Sequence, residues 1–428
     1  MPFFSVLMPT RNRASLLRSS LKSAVDQTFQ DFEIVVSDNN STDDTRQVVR
    51  DFMTGGKVKY VNPGRDLSMC ANWEYVLTHA SGQYLIYLCD DDALAPDTLS
   101  YVHDLLRQFQ MEVLVWRASG YHHPDIPDEN LRLHFTYQRS SGELFEVASR
   151  PIIEALCRFD WSVNGIVPKM LNCAVSRKAI EICCEHTGEF FVPPYPDFSA
   201  VGQLLSTNPT YHFIDLPLYV AGASRVSNAG ILFDRKKKHD EYVSLFGSDL
   251  LEGVPYQMPY LVTSYFYATW LLFRRIYSRA FTADINTAAY LKVMFTELVR
   301  FEDYEDISAE LDELAAHMRD FSGSDQMFRD LWDEHQRSKG NGAKPGADQS
   351  NLSPIKRVAW AIAGKNERAF NLLARARGHK VSEFTHKRVP SIEAAAKILS
   401  GYLARQARPT TELKPVPVSS SNFLKERQ

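Results

Sequence analysis

Tyr84-Leu85-Ile86-Tyr87-Leu88-Cys89-Asp90-Asp91-Asp92 is the stretch on which the fold turns. An apolar run followed at once by three carboxylates reads as a buried strand released into a polar loop. Three adjacent aspartates repel one another unless water or a cation neutralises them. Taken alone, such a triplet is a solvated acidic turn beside a helix cap. Its neighbours decide otherwise.

The same rhythm repeats upstream and downstream. Residues 3–8, 32–37, 57–61 and 113–117 are further apolar runs of strand length. Between them apolar residues recur at helical spacing: Leu17, Leu21, Ala24, Val25 and Thr28; Thr45, Val48, Val49 and Phe52; Met69, Asn72, Trp73, Val76, Leu77 and Ala80. Ser41 with Asp44 resembles a capping box for the second helix, and Ser81-Gly82 reads as a stop for the third. After Pro96, the positions Thr98, Leu99, Val102, Leu105, Leu106 and Phe109 form a fourth helical stripe. Strands alternating with helices across short connections predict an α/β fold, a mostly parallel sheet covered by helices on both faces.

Beyond residue 120 the alternation breaks. A loop over 122–130, short strands within 131–145, a helix over 152–159, a strand over 170–176 and a helix over 180–186 are expected. Residues 240–335 read as mainly helical. The expected organisation is a domain over 1–230 with halves 1–120 and 121–230, then a helical extension over 231–337. A linker over 338–356, a basic helical segment over 357–407 and a disordered tail over 408–428 would follow.

Composition excludes several classes. The 428 residues are 44% hydrophobic and 23% charged with a net charge of −4, which gives no electrostatic reason for a nucleic-acid partner. The N-terminus has no basic leader or small-residue cleavage site, so no secretory signal is expected. Six cysteines without C-x-x-C spacing read as reduced thiols of a cytoplasmic protein. Residues 260–276 are too short for a membrane span and contain Thr263, Ser264 and Thr269, so a buried helix is expected; a helix lying on the membrane surface is the second reading.

In an open parallel sheet, ligands bind beyond the carboxyl ends of the strands. The first strand releases Pro9-Thr10-Arg11-Asn12-Arg13 there, the second Asp38-Asn39-Asn40-Ser41-Thr42-Asp43, and the fourth Asp90-Asp91-Asp92. Hard carboxylate oxygens of this kind suit Mg²⁺ or Mn²⁺, which takes one or two carboxylates plus phosphate oxygens.

Those three segments, taken with Ala80-Ser81-Gly82 before the fourth strand and Pro96 after it, resemble the family 2 glycosyltransferases of GT-A fold from Phe4 to about Val220. The resemblance implies a nucleotide-diphosphate-sugar donor, a pyrimidine base on Asp38, and Pro9, Thr10 and Arg13 lining that pocket. It also implies a D-x-D element in which one carboxylate meets the ribose and another the metal. Aligned on Pro96, Cys89 stands at the first Asp of that element. Either Asp90 and Asp92 form the pair in a shifted frame, or Asp91 and Asp92 act without the leading carboxylate; Asp92, with Asp90, is taken for the metal, Asp92 being slightly favoured, and Asp90 and Asp91 for the donor nucleotide. The family places a general base about a hundred residues later, which Asp197 in Pro196-Asp197-Phe198 fits, with Glu189 the next candidate. A single base implies one-step displacement with inversion, onto a glycan, polysaccharide or lipid-linked acceptor.

Blander readings apply elsewhere. Trp73 belongs to a core stripe, His122 and His123 to a surface loop, and Cys183 and Cys184 to a buried helix face. Arg225-Val226-Ser227-Asn228 would be a loop closing over the donor. The basic residues Arg357, Lys365, Arg368, Arg375, Arg377, Lys387 and Arg388 are first of all a solvated face; a peripheral contact with the inner face of a membrane is the alternative. A sugar nucleotidyltransferase would need a glycine-rich loop that residues 9–14 lack. A non-catalytic nucleotide-sugar-binding scaffold is the other competing function, kept open by Cys89.

Overall fold

The computed structural model describes residues 1–138, 140–227, 248–302, 305–340, 384–404 and 414–415. Its first half alternates as the sequence predicts: β1 (Phe4–Thr10), α1 (Ala14–Val25), β2 (Phe32–Asp38), α2 (Thr45–Phe52), β3 (Val58–Val61), α3 (Met69–Thr78) and β4 (Tyr84–Tyr87). A short β5 (Ala93–Leu94), α4 (Thr98–Phe109) and β6 (Val113–His122) follow. β1 pairs in parallel with β2 on one side and with β4 on the other, and β3 extends the sheet beyond β2. The chain therefore reverses its direction of travel between β1 and β4, and a crevice opens beyond their carboxyl ends.

Burial on both faces explains the continuous apolar runs. Val6, Met8, Ile34, Val36, Ile86 and Leu88 share one core with α1 and α4, while Leu7, Val35, Leu85 and Tyr87 face another with α3. Successive strand residues point to opposite faces. Trp73 is core as expected, its ring stacked on Tyr87 at 4.7 Å.

The second half makes the sheet mixed. It comprises β7 (His134–Gln138), β8 (Leu144–Ala148), α5 (Ser149–Cys157), β9 (Cys173–Ser176), α6 (Arg177–Thr187), α7 (Pro196–Thr207) and β10 (Thr210–Ala223). β9 inserts antiparallel between β4 and β6, and β10 runs parallel to β6. The fifth strand of the alternation is thus not β4's neighbour.

Two local expectations are corrected. The capping box at Ser41 and Asp44 is absent; Asp43 instead accepts the N–H of Ala14 and of Thr45, capping α1 and α2 together. The third helix ends at Thr78, before Ser81-Gly82. Gly82 is there for close approach, because a Cβ on it would stand 2.5 Å from the Ser5 nitrogen.

Helices Val262–Ile276, Thr287–Leu298, Ser308–Ser322 and Gln326–Gly340 form the helical extension. The stretch around 260–276 is a buried helix, with Trp270 and Phe273 fully enclosed and Trp270 against Phe198 of α7. Among the described residues no helix is long and apolar enough to cross a membrane.

Of the basic segment, Arg357, Lys365, Arg368, Arg375 and Arg377 lie outside the described residues. Lys387 and Arg388 were expected on a helix but belong to a strand, β11 (Phe384–Arg388), which pairs antiparallel with β7. The open backbone of β7 offers hydrogen bonds that local helix propensity does not match. The following helix, Ile392–Leu403, packs Ala395, Ala396 and Leu399 against Ala93, Ala95 and Val220, directly behind the aspartate triplet. Within the expected tail, Lys414–Pro415 pairs with β8.

Candidate active site

The loops leaving β1 and β2 are tied together before any side chain reaches the crevice. Asn12 Oδ1 accepts the Thr42 N–H at 2.8 Å, and Ser41 Oγ accepts the Asn12 N–H at 2.8 Å. Asn12 adopts a positive φ of 52°, which asparagine tolerates. This lock places Thr10 and Arg13 beside the end of β4. Pro9 is buried in β1 opposite Ser37, past the last β1–β4 pair, so its missing N–H costs no ladder bond on that side.

Asp38 ends β2 almost fully buried. Tyr60 donates its phenol proton to Oδ2 at 2.6 Å, and the Ser41 N–H reaches Oδ1 at 2.9 Å. Both oxygens are thereby oriented. Tyr60 was not anticipated from sequence.

Asp90, Asp91 and Asp92 are 2%, 5% and 5% exposed, so they are no solvated turn. They divide into two groups. Asp90 accepts Thr10 Oγ1–H at 2.7 Å and pairs with the Arg13 guanidinium at 3.0 Å. That carboxylate, against some loss by burial, holds the Arg13 guanidinium above its ordinary value. Asp91 and Asp92 have no cation paired with them among the described residues. Burial, reinforced by the Asp90 charge, pushes Asp91 up to about 7, with Arg13 and Ser227 opposing. Burial, then the Asp91 charge, holds Asp92 well above the carboxylate range, and burial does the same to the Cys89 thiol.

One ligand atom each from Cys89, Asp91 and Asp92 lies within 4.8 Å of the others. Two buried carboxylates that form no ion pair among the described residues are a donor set that a Mn²⁺ or Mg²⁺ ion fits. Of the two pairings open at the sequence level, the geometry gathers Asp91 with Asp92 and commits Asp90 to Arg13.

Ser20 and Ser23 of α1, Gln27 just beyond it and two distant residues hold the triplet and its flanking backbone. Ser20 Oγ donates to the Cys89 carbonyl at 2.7 Å, and Gln27 Nε2 donates to the Ala95 carbonyl at 2.8 Å. Ser23 Oγ accepts the Leu94 N–H at 3.1 Å. His123 Nε2–H donates to the Asp91 carbonyl at 2.9 Å, and the Gly222 N–H caps Asp92 Oδ1 at 2.8 Å. His123 is therefore buried at the site rather than in a surface loop. Its own N–H pairs with the Ala223 carbonyl, a long-range contact that its polar sequence neighbours do not advertise. Ser20, Ser23 and Gln27 did carry a signal: polar residues at helical spacing within an apolar stripe.

The loop 224–227 after β10 turns inward. Ser224 Oγ–H and the Arg225 N–H bind Asp125, and Ser227 reaches the Asp91 carboxylate. Asn228 lies outside the described residues. A Cβ on Gly222 would overlap the Asp91 carbonyl oxygen and crowd His123 Nε2. Gly222→Ala is expected to destabilise the fold by about 1–3 kcal/mol and to displace the triplet. Urea unfolding alongside Mn²⁺ titration checks both effects.

Asp197 stands in the first turn of α7, half-buried, with Oδ1 accepting the Phe198 N–H at 3.0 Å. Burial lifts it above the ordinary carboxylate value, and the Lys169 ammonium opposes that lift. Burial lowers Lys169 to about 8. Lys169 lies over the Phe198 ring at 5.7 Å and immediately precedes residues 170–172, which hydrogen-bond across Tyr87 of β4 and Trp116 of β6. Burial, then the Asp197, Glu189 and Glu74 carboxylates, raises the Cys70 thiol in the first turn of α3. Asp197 thus belongs to the same carboxyl edge as the triplet but makes no hydrogen bond to it. Glu189 is exposed.

Known proteins resemble the first third of the chain. Residues 5–144, from β1 to the start of β8, match the family described as Glycosyl transferase family 2. The chain is 41% identical over 102 residues to the GalNAc(5)-diNAcBac-PP-undecaprenol beta-1,3-glucosyltransferase of Campylobacter jejuni, covering 23% of this chain and 33% of that protein. It is 32% identical over 117 residues to a PGL/p-HBAD biosynthesis glycosyltransferase of Mycobacterium bovis, covering 27% and 46%. The matches thus span a third to under half of the length of these relatives. Among solved structures, S. aureus TarS 1–349 in complex with UDP-GlcNAc aligns over 78% of this chain and 91% of its own, at 14% identity and a TM-score of 0.45. The likeness to glycosyl transferase family 2 thus rests on residues 5–144, the segment that begins at β1 and carries the aspartate triplet.

Proposed function

We propose that this chain transfers a sugar, with inversion, from a nucleoside-diphosphate sugar to a hydroxyl of a glycan, polysaccharide or lipid-linked acceptor. The observation that carries the reading is the Asp91–Asp92 pair, without an ion pair among the described residues and buried at the switch point between β1 and β4. Asp38, oriented by Tyr60, takes the base, a pyrimidine, with Pro9 and Thr10 along the same wall. Arg13, fixed by Asp90, holds the β1 loop in place. Asp91 and Asp92 are the residues that would hold Mn²⁺ or Mg²⁺, which when bound supplies Lewis-acid stabilisation of the departing nucleotide.

Asp197 takes the acceptor proton on the opposite side of the anomeric carbon. A base poised above the ordinary carboxylate range is closer to the working pH and transfers protons more effectively. Acceptor chemistry is supported by the Campylobacter relative, whose name carries an undecaprenol-linked glycan. A peripheral membrane contact would suit such an acceptor.

The test is a panel of nucleotide sugars incubated with the full chain and Mn²⁺, with nucleotide release measured and the product's anomeric configuration read by NMR. One donor should be consumed far faster than the rest with inverted product. No consumption of any donor, with or without a lipid-linked acceptor, would contradict the reading.

Lys169 gives a signed pH prediction. The ammonium favours the ionised form of Asp197, so Lys169→Met raises the carboxyl's pKa further. Activity that needs the carboxylate then rises at higher pH, and the acid limb of the kcat/KM profile should move upward. An unmoved or lowered limb would count against Asp197 as the group it reports.

A further inference from the structure

Cys89 stands where the resemblance leads one to expect a carboxylate, packed at the margin of the core rather than wholly inside it. It is half-buried at the end of β4, with its backbone carbonyl held from two sides. Ser20 Oγ–H donates to that carbonyl at 2.7 Å and the Asp92 N–H at 3.2 Å. The backbone of the turn is therefore fixed. Its Sγ lies within 4.8 Å of a carboxylate oxygen of both Asp91 and Asp92, and among the described residues this is the one such cluster.

We propose that Cys89 Sγ is the third protein donor of the cation site, making it a mixed oxygen–sulfur site that prefers thiophilic divalent ions over Mg²⁺. The inference rests on the assignment of Asp91 and Asp92 as metal ligands. Donors bound to one ion at about 2.2 Å for oxygen and 2.3 Å for sulfur stand no more than about 4.5 Å apart. A trio already within 4.8 Å of one another needs only small side-chain movements to meet one ion. Thiolate ligands favour softer metals, whereas an all-carboxylate site suits Mg²⁺ equally well. On coordination the Cys89 S–H bond is replaced by a sulfur–metal bond and the proton leaves to solvent. The other half-buried thiol, Cys184 on α6, is not part of the cluster and serves as a control.

The test is a Co²⁺ titration of the full chain, with and without UDP, followed by absorption spectroscopy. A thiolate-to-cobalt charge-transfer band in the near ultraviolet is expected, lost in Cys89→Ser and retained in Cys184→Ser. Displacement of bound Mn²⁺, read by electron paramagnetic resonance, should need less Cd²⁺ than Mg²⁺ in the parent protein. Cys89→Asp should narrow that difference, and circular dichroism of each variant checks that it folds. Cobalt bound with ligand-field bands alone, or a charge-transfer band that survives Cys89→Ser, overturns the thiol assignment while leaving Asp91 and Asp92 as ligands. No binding of Co²⁺ or Mn²⁺ under either condition overturns both.

Discussion

Asp92→Asn should lose Mn²⁺-dependent nucleotide binding while keeping the fold. The amide is isosteric and its oxygen can still accept the Gly222 N–H, so the backbone contact survives. What disappears is one of two buried carboxylates that form no ion pair among the described residues. Altering a metal's supporting shell costs roughly 10- to 100-fold in affinity, and removing a ligand charge should cost at least as much. Turnover should fall by at least about a hundredfold. Calorimetric titration of Mn²⁺ and UDP, with steady-state rates, measures both; unchanged metal dependence would remove Asp92 from the site.

The same charges set a pH dependence of stability with a definite sign. Asp91 ordinarily titrates at 3.8 and is held up to about 7 in the fold, mainly by burial. The native state then binds more protons than the unfolded chain, so Asp91's contribution is fully present below about pH 4 and is lost as pH rises through 7. Metal-free protein should therefore lose this part of its stability between those values. Mn²⁺ should restore it at neutral pH.

Asp197→Asn is expected to lower kcat by about 10²- to 10⁴-fold, the usual worth of a positioned general base. Donor affinity should be nearly unchanged, because Asp197 makes no hydrogen bond or ion pair with the aspartate triplet or Asp38 among the described residues. The amide oxygen can still accept the Phe198 N–H, which protects the first turn of α7. A kcat split from donor KM in this way distinguishes chemistry from folding. Retained kcat would shift attention to Glu189, which is exposed beside the same helix.

Much of the donor half was legible because its strands are buried on both faces and so read as uninterrupted apolar runs. The three polar strand ends could be placed on one edge from direction alone. The position of β9 was not legible, since Cys173-Ala174-Val175-Ser176 says strand without saying which neighbours it separates. His123 and Gly222 reach Asp91 and Asp92 through the β6–β10 pairing, 130 residues apart in sequence for Gly222 and Asp92, and no local pattern encodes such a contact. The strand Phe384–Arg388 was misjudged for the same reason: the open edge of β7 decides it, not its own composition. Within the triplet, the division of labour depended on Arg13 choosing Asp90, which is a matter of a few ångströms.

The most direct test of the central claim is titration of the full chain with UDP, GDP and TDP, with and without Mn²⁺, in the parent protein and in an Asp91→Asn, Asp92→Asn double variant. One nucleoside diphosphate should bind the parent tightly only when Mn²⁺ is present, and the double variant should lose that metal dependence. Failure of all three to bind, or metal-dependent binding undiminished in the double variant, would contradict the assignment of this crevice as a metal–nucleotide site.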